Sequence, residues 1–298
     1  MVKDLVSTFK FIFNHPATRN GKWAALRRFA AWQIQSKIFH HPVIYPFIEN
    51  SKLIVQRGMA GATGNVYAGL HEFEDMMFLL HLLRPGDIFV DVGANIGSYT
   101  ILASSVAGAK SISFEPVPAT FRQMNHNVSI NDLDSIVELH NSGVGKEKGK
   151  LWFTTSYDTM NHVITDSADS YPETIQVDIV RLDDILQNRI PTLIKIDTEG
   201  FEMAVLEGAQ STLQHSSLRA IIVEINPSCH QYGNDEREIH EFILKQGFIA
   251  IAYNPFERNY SIEQSTNPNA NTMYIRDVAD VKKRLQTARK FSVLNQSI

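Results

Sequence analysis

Residues 88–97 read IFVDVGANIG, and this stretch decides the fold. Its first half, IFVDV, has four apolar residues in five, which is typical of a strand buried on both faces of a parallel sheet. Gly93 and Gly97 then allow the backbone a tight turn and a close approach to a ligand. Residues 98–106 have the pattern of a helix, whose first amide groups point towards the same place. The stretch therefore predicts a strand, a glycine turn and a helix that together form a ligand site.

A second strand, residues 111–115, ends at Glu115. A carboxylate about 20 residues after the turn, at the end of the next strand, is typical of a group that accepts hydrogen bonds from ribose hydroxyls. A dinucleotide phosphate would require G-x-G-x-x-G, whereas Gly93 and Gly97 are separated by three other residues. The spacing favours S-adenosylmethionine, which contains an adenosine and an amino acid but no phosphate.

A further apolar strand, residues 192–197, ends at Asp197 and is followed closely by Glu199. At this point the chain resembles the FkbM family of S-adenosylmethionine-dependent methyltransferases. The matching segments, in the family's order, are DVGANIG at 91–97, FEP at 114–116, RLDDIL at 181–186, IKIDTEGFE at 194–202 and LEGA at 206–209. The resemblance implies a Rossmann-like class I methyltransferase fold. It also implies O-methylation of a sugar, a glycolipid or a polyketide-type acceptor.

The alternation of strands and helices predicts an α/β fold with a mostly parallel sheet and helices on both faces. Seven strands are expected, at residues 88–92, 111–115, 136–140, 192–197, 219–225, 248–253 and 271–276. We expect the methyltransferase domain to span residues 58–298, with an insertion at about 146–181 that edges the site. Residues 58–64 are expected to form a glycine-rich loop, within a loop region at 58–70 that helps to select the acceptor. A surface helix at 282–290 is expected to precede a frayed tail.

The polar residues at the carboxyl ends of the strands are the candidates for the ligand site. For the cofactor these candidates are Asp91, Gly93, Asn95, Gly97, Glu115, Asn141 and Ser142. Asp91 would orient the glycine turn or reach the amino group of the cofactor, and Glu115 would accept the ribose hydroxyls. Asn141 and Ser142 would meet the adenine edge, although both residue types also form turns.

Methyl transfer to a hydroxyl requires alignment of the reacting atoms and removal of one proton. Asp197 is our first candidate for the catalytic base and Glu199 the second, and either could instead bind a substrate hydroxyl. Glu224 ends the next strand and is a further candidate on the acceptor side. These three carboxylates could also hold a divalent cation through oxygen ligands. Because no dedicated spacing motif accompanies them, we predict no metal site.

The candidates for acceptor binding are Tyr67, His71, Glu72, His162 and Glu224. Glu72 matches an acid that the FkbM family often carries upstream of the glycine turn. Together with Tyr67 and His71 it could form a lid over the pocket. His162 lies in the polar part of the insertion, and a surface or core role for either histidine stays open.

Residues 1–57 contain nine Lys or Arg and two acidic residues, a net charge of +7, whereas the whole chain has −4, so the remainder carries −11. With its interleaved aromatic residues, this basic and partly helical N-terminal appendage could lie on an anionic membrane or meet a lipid-linked or nucleotide-linked sugar. Alternatively, its helices pack on the catalytic domain with their basic face in water. Nucleic acid is not an expected partner, because the chain is acidic overall.

Two other classes of function remain open, an NAD-dependent Rossmann oxidoreductase or epimerase, and a non-catalytic module that binds S-adenosylmethionine. The absence of the phosphate glycines argues against the first, and the presence of Asp91, Glu115 and Asp197 argues against the second. The single cysteine, Cys229, excludes an intramolecular disulfide and fits a reducing compartment. We expect a cytoplasmic protein that could associate with a membrane. Nothing in the sequence indicates an oligomeric state.

Overall fold

The computed structural model describes residues 2–38, 41–154, 162–164, 173–267 and 271–298. The helices are α1 (Val2–Asn14), α2 (Lys22–Ile38), α3 (Ala60–Ala68), α4 (Phe73–Leu82), α5 (Ser98–Ile101), α6 (Pro118–Ser129), α7 (Leu182–Leu186), α8 (Glu202–Glu207), α9 (Gln210–Gln214), α10 (Glu236–Lys245) and α11 (Val278–Thr287). The strands are β1 (Val43–Pro46), β2 (Lys52–Val55), β3 (Ile88–Val92), β4 (Lys110–Phe114), β5 (Val137–His140), β6 (Gly143–Val144), β7 (Gly149–Thr154), β8 (Thr174–Val180), β9 (Leu193–Ile196), β10 (Ala220–Val223), β11 (Ile249–Asn254), β12 (Asn259–Ile262), β13 (Thr272–Ile275), β14 (Ser292–Val293) and β15 (Gln296–Ser297).

The central sheet has the strand order β12-β11-β13-β10-β9-β3-β4-β5. Strands β5, β4, β3, β9 and β10 run parallel, and β13 lies antiparallel between β10 and β11. The predicted mostly parallel α/β sheet is therefore confirmed. The predicted number of seven strands is wrong, because β12 adds an eighth strand as a hairpin partner of β11. Residues 259–262 are mostly exposed at the sheet edge and lack the apolar run that identifies a buried strand.

Helices cover both faces of the sheet, since the side chains of each central strand alternate between two apolar clusters. Phe89 packs with α4 and α11 on one face, and Val90 packs with α8 and α10 on the other. All four residues of β9 are buried. Burial of the central strands on both faces leaves their carboxyl ends as the place where a ligand can bind.

The expected loop region at 58–70 is wrong for most of its length, because residues 60–68 form α3. A Cβ atom at Gly64 would collide with Nδ1 of His71, so the absence of a side chain at this position serves close packing of a helix. The helix that follows is α4, close to the apolar pattern at 71–83 from which it is predicted. Helix α3 places part of the lining of the cleft described below.

The predicted insertion contains two strands, β7 and β8, which pair antiparallel with Lys150 opposite Asp178. Residues 155–161 and 165–172 of the insertion lie outside the described residues. The C-terminal tail, expected to be frayed, instead forms the hairpin β14–β15. Phe291, Val293 and Ile298 are buried in the core cluster that contains α4, because their apolar side chains give the tail a packing surface.

Helices α1 and α2 precede the sheet and pack on it through one apolar cluster. Ile12, Phe29 and Trp32 are buried there together with Tyr67 of α3. Two hydrogen bonds from the Arg28 guanidinium to the carbonyl oxygen of Tyr67, at 3.0 and 2.7 Å, fix α2 against α3. None of the helices in the described part of the chain combines the length and the hydropathy that crossing a bilayer requires.

Candidate active site

A cleft of about 320 Å³ opens at the carboxyl ends of β3, β4, β9 and β10. This is the size and the position expected for a small-molecule site in an open α/β sheet. Ten of the residues predicted from the sequence line it, and these are His71, Glu72, Asp91, Gly93, Asn95, Glu115, Ser142, Asp197, Glu199 and Glu224. The cleft therefore joins the predicted cofactor residues with the predicted catalytic residues.

The glycine turn after β3 is held by contacts that only a glycine permits. Gly93 has a φ of +79°, and a Cβ at this position would collide with the carbonyl oxygen of Asp197. The amides of Gly93 and Ala94 both donate to the carbonyl oxygen of Phe114, at 3.1 and 2.9 Å. The turn is thus pressed against the loop after β9 and tied to the end of β4.

The carboxylate of Glu115 closes the turn from the neighbouring strand. Its Oε2 accepts a hydrogen bond from the amide of Asn95 at 3.0 Å, and its Oε1 accepts one from the amide of Val117 at 2.9 Å. Burial raises the pKa of Glu115 to about 7, although the two amides oppose the shift. A carboxylate has about four acceptor sites, so Glu115 retains capacity for the two hydroxyls of a ribose.

Asp91 lies at the bottom of the cleft and is 1% exposed. Its Oδ2 accepts a hydrogen bond from Thr100 Oγ1 at 2.7 Å, whereas its Oδ1 is buried without a hydrogen-bond partner among the described residues. Burial raises the pKa of Asp91 to about 6, against the favourable charge of Lys195. An unsatisfied buried carboxylate oxygen is costly, so the arrangement suits a ligand that carries an ammonium group.

Ser142 also faces the cleft with an unsatisfied group. It follows β5 and is buried, and its Oγ has no hydrogen-bond partner in the described part of the structure. Two polar atoms that are buried but unpaired, Asp91 Oδ1 and Ser142 Oγ, therefore border one cleft. Residues placed in this way fit a polar ligand such as S-adenosylmethionine, which carries an amino group and an adenine edge.

Lys195 lines the cleft but is not among the site residues predicted from the sequence. It lies in the middle of β9, is 3% exposed, and places its Nζ 2.6 Å from Asp197 Oδ2 and 4.7 Å from the ring centre of Tyr99. Burial opposes its charge, but the carboxylates of Asp197, Glu72 and Asp91 together raise its pKa. The signal was present in the sequence, since Lys195 is a single charged residue in the otherwise apolar strand LIKI.

Three carboxylates form an acidic cluster, defined as Asp197, Glu199 and Glu224, at the ends of β9 and β10. One oxygen from each lies within 4.8 Å of the others. Burial and the neighbouring carboxylates raise the pKa of Glu224 to about 9 and that of Glu199 to about 7. Glu224 is therefore protonated at neutral pH and can donate a hydrogen bond. The same three oxygens have the chemistry of a site for a hard divalent cation.

Glu202, in the first turn of α8, fixes the loop that carries this acidic cluster. Its Oε1 accepts hydrogen bonds from the amide of Thr198 at 3.0 Å, from Thr198 Oγ1 at 2.9 Å and from the amide of Gly200 at 3.0 Å. The loop includes Glu199 at a φ of +54°, a backbone conformation that needs such support. Glu202 therefore acts on the cleft through the loop and not by lining it.

His71 and Glu72 come just before α4, on the acceptor side of the cleft. The amide of His71 donates to Asn65 Oδ1 at 2.7 Å, and burial lowers the pKa of its imidazole, which is neutral as a result. Glu72 Oε1 accepts a hydrogen bond from Asn271 Nδ2 at 2.8 Å. His71 is thus held by the neighbouring helix α3 and Glu72 by a distant part of the chain, and both residues line the cleft.

Two predicted cofactor residues do not line the cleft but support its walls. Gly97 has a φ of +85° and directly precedes α5, where an added Cβ would lie 3.0 Å from the side chain of Met124. Asn141 Nδ2 donates to the carbonyl oxygens of Glu115 and Pro116, at 2.9 and 3.0 Å. Asn141 therefore holds the end of β4 in place.

Two predicted acceptor residues also lie away from the cleft lining. Tyr67 packs its ring against Phe29 of α2, and its hydroxyl accepts a hydrogen bond from Gln33 at 3.3 Å. His162 donates its amide to Thr154 Oγ1 at 3.1 Å, within the insertion and between segments outside the described residues. The structure thus does not bring Tyr67 and His162 together with the acidic cluster.

Comparisons with known proteins point to one family. The model of the methyltransferase FkbM domain matches residues 91–250. Hexuronic acid methyltransferase AglP of Haloferax volcanii is 30% identical over 158 residues, 52% of this chain and 62% of AglP, so the match spans about three fifths of that protein. The 31-O-demethyl-FK506 methyltransferase FkbM of Streptomyces tacrolimicus is 26% identical over 215 residues, 60% of this chain and 80% of that protein. A solved structure of methyltransferase FkbM from Methylobacillus flagellatus KT covers 84% of this chain and 59% of its own, with 16% identity and a TM-score of 0.44.

Proposed function

Since this chain belongs to the methyltransferase FkbM domain family, we propose that it is an S-adenosylmethionine-dependent O-methyltransferase. The proposed acceptor is a hydroxyl of a sugar, a glycolipid or a polyketide-type molecule. One observation carries the proposal: a single cleft joins Asp91 and Glu115 on one side with the acidic cluster on the other. The names of two relatives support this choice. A hexuronic acid methyltransferase supports a sugar acceptor, and a methyltransferase of a demethylated FK506 supports a polyketide-type acceptor.

The cofactor half of the cleft, which consists of the glycine turn with Asp91 and Glu115, suits a cationic ligand. Among the described residues that line the cleft, six carry a carboxylate and one, Lys195, is a lysine. Such a negative site attracts a molecule that carries a sulfonium and an ammonium group. Glu115 would accept the ribose hydroxyls, and Asp91 Oδ1 would accept the ammonium. The bound cofactor supplies an activated methyl group, so the protein has to position the acceptor and remove its proton.

We assign the proton transfer to Asp197, because its carboxylate belongs to the acidic cluster while its backbone carbonyl lies against the glycine turn at Gly93. Lys195 holds Asp197 Oδ2 at 2.6 Å and so fixes its orientation. Protonated Glu224 can donate a hydrogen bond to an acceptor oxygen, and Glu199 can accept one from a neighbouring hydroxyl. A pair of such groups suits a polyol, in which adjacent hydroxyls each need a donor or an acceptor.

We further propose that residues 58–298 form the catalytic unit and residues 1–57 an appendage to it. The contacts that support this division are those of α1 and α2, whose apolar cluster includes β2, α3 and, from the central sheet, the edge strand β5. We propose a reducing, cytoplasmic location, supported by the buried free thiol of Cys229.

Calorimetric titration of the full chain with S-adenosylmethionine, S-adenosylhomocysteine and NAD tests the cofactor. We expect S-adenosylmethionine and S-adenosylhomocysteine to bind and NAD not to bind. Glu115→Ala should abolish binding, whereas Glu147→Ala, at an exposed position, should leave it unchanged. Binding of NAD alone would support an oxidoreductase and would overturn the proposal. Methyl transfer from radiolabelled cofactor to hexuronic acids, glycolipids and hydroxylated macrolides then identifies the acceptor, and binding without transfer to any of them would favour a non-catalytic module.

A further inference from the structure

Helix α1 exposes an apolar stripe. Val6, Phe9 and Phe13 are 50%, 40% and 41% exposed, and their spacing of three and four residues places them on one face of the helix. Lys10 is exposed on the same face. Ile12, on an adjacent side of the helix, is fully buried against the rest of the chain. The helix is therefore anchored by one face and presents a second apolar face to the outside.

Helix α2 repeats this arrangement over a greater length. Trp23, Ile34 and Ile38 are 81%, 61% and 63% exposed, and together with Arg27 they follow one face at helical spacing. The buried face of α2 contains Phe29 and is anchored as described above. Packing on the rest of the chain thus fixes α2 without covering this outer face.

The two faces lie on helices that contact each other. The rings of Phe9 and Phe29 are 5.5 Å apart, and Nζ of Lys22 lies 5.4 Å from the ring centre of Phe13. Twelve large apolar side chains are exposed in the described part of the chain, and six of them belong to α1 and α2. Single exposed apolar residues are ordinary, but this concentration in about a tenth of the chain marks an interaction surface.

The charge of this surface indicates what it contacts. Lys10, Lys22, Arg27 and Lys37 are exposed on the two helices, and the sequence of α2 contains no acidic residue. Residues 1–57 carry +7, whereas the rest of the chain carries −11. Aromatic and aliphatic side chains flanked by lysine and arginine are the composition of helices that lie in the headgroup region of an anionic bilayer.

We infer that the outer face of α1 and α2, defined by Val6, Phe9, Phe13, Trp23, Ile34 and Ile38 with their flanking basic residues, docks the protein on an anionic lipid bilayer. A bilayer fits this face because anionic headgroups complement its exposed basic residues, and the apolar side chains between those residues can enter the headgroup region.

The position of the face relates it to the active-site cleft. Gly61 and Asn65 of α3 line that cleft, and α2 packs directly on α3. A docked protein would hold its cleft one helix layer from the membrane surface, where an acceptor attached to a lipid would be presented. This last step rests on the proposed function, whereas binding to the bilayer does not.

Co-sedimentation of the full chain with vesicles tests the inference without any activity assay. We expect binding to vesicles of phosphatidylcholine mixed with phosphatidylglycerol, and at least about tenfold weaker binding to pure phosphatidylcholine. The triple variant Trp23→Ser, Ile34→Ser, Ile38→Ser should lose at least about tenfold in binding to the mixed vesicles. The matched control is Trp152→Ser, Ile262→Ser, Val278→Ser, which replaces three exposed apolar residues elsewhere and should bind as the unmodified protein does.

The charge variant Arg27→Glu, Lys37→Glu should lose the preference for phosphatidylglycerol. Equal binding by the triple variant and the unmodified protein would overturn the inference, as would a lack of binding to mixed vesicles. Self-association that the triple variant abolishes, without vesicle binding, would assign the face to a second copy of this chain. Because cofactor titration is unaffected by these outcomes, failure of this inference is distinguishable from failure of the proposed function.

Discussion

The two halves of the cleft are built differently. The cofactor half, defined as the glycine turn with Asp91 and Glu115, is held by backbone amides that donate to Phe114 and Glu115. The acceptor half, defined as the acidic cluster with Lys195, is held by charge and by the side chain of Glu202. Backbone contacts fix a shape, whereas a group of interacting carboxylates has a charge that depends on pH and on the ligand. The difference indicates that the cofactor half keeps one backbone shape, whereas the acceptor half can change its pattern of hydrogen-bond donors and acceptors with the acceptor.

The two halves touch where the glycine turn meets the loop that contains Asp197, and the largest effect should follow from breaking this contact. In Gly93→Ala the new Cβ would collide with the carbonyl oxygen of Asp197, in a residue whose φ is positive. We expect cofactor binding below detection and a loss of at least about 2 kcal/mol in the free energy of unfolding. Denaturant titration and calorimetry measure the two effects.

Gly149→Ala is the control for this variant, because a Cβ at Gly149 would meet no atom within 4 Å. It should bind the cofactor normally. If Gly93→Ala also retained full affinity, the contact between the turn and the Asp197 loop would not matter for the cofactor, and the two halves would be independent.

The second prediction separates the halves by function. Asp197→Asn should lower kcat by about 10² to 10⁴, the range for removal of a general base, and leave the Kd of the cofactor within about threefold. The measurement is single-turnover methyl transfer to the acceptor found in the screen, beside calorimetry with the cofactor.

Asp184→Asn, at an exposed acid of α7, is the control and should have full activity. A pure increase in KM for the acceptor, with kcat unchanged in Asp197→Asn, would contradict the role of base. Such a result would leave Asp197 as a group that binds an acceptor hydroxyl.

The third prediction concerns the pH dependence of the cofactor half. The pKa of Glu115 is raised to about 7 and that of Asp91 to about 6, both by burial. The ionised carboxylates accept hydrogen bonds from the cofactor more strongly than neutral carboxyl groups do and attract its positive charge, so affinity should fall as the pH falls through these values. Between about pH 8 and pH 6 we expect a loss of about tenfold in affinity from Glu115 alone. Calorimetry over this range in buffers of different ionisation enthalpy should also detect proton release on binding at the lower pH values.

The unliganded protein should respond in the opposite direction. A carboxyl group with a raised folded-state pKa contributes its stabilisation at low pH, and this contribution is lost as the pH rises from the unfolded value towards about 7 for Glu115. Glu115→Gln removes the titrating group, so both dependences should become shallower. An unchanged pH profile of affinity in Glu115→Gln would assign the dependence to another group.

The cofactor half could be predicted from the sequence because its signals are local. Residues 88–97 contain both the strand and the turn, and Glu115 ends the next strand. The acceptor side of the cleft depends on residues that the fold brings together, and Glu72 beside the acidic cluster is held by Asn271, 199 positions away. Lys195 is marked in the sequence as a charged residue in an apolar strand, but two of the carboxylates that stabilise its charge, those of Glu72 and Asp91, are brought to it by the fold.

Some residues that were predicted for the site do not line the cleft, and packing explains their actual positions. Tyr67 and Asn141 have the polar groups of ligand-binding residues, but the structure uses them to join α2 with α3 and to hold the end of β4. Glycines at 61 and 64 suggested a loop, whereas Gly64 is required for close packing of α3 on His71. Residue type and spacing do not distinguish these structural roles from a role in ligand binding.

The smallest effect is expected from removal of metal ions. The acidic cluster has the oxygen ligands of a divalent cation, but two features reduce its need for one. The Lys195 ammonium lies 2.6 Å from Asp197, and the pKa of Glu224 is raised to about 9, so that this carboxyl group is neutral at pH 7. We therefore expect methyl transfer to keep its rate after dialysis against EDTA, and addition of Mg²⁺ to change it by less than about twofold. A different result would be that EDTA removes the activity, that Mg²⁺ restores it, and that Mg²⁺ fails to restore it in Glu224→Gln. This result would show that the acceptor half orients the acceptor hydroxyl through a cation. In that case the acceptor half of the cleft would act through a bound ion, and the main role of Asp197 would be that of a metal ligand and not that of a base.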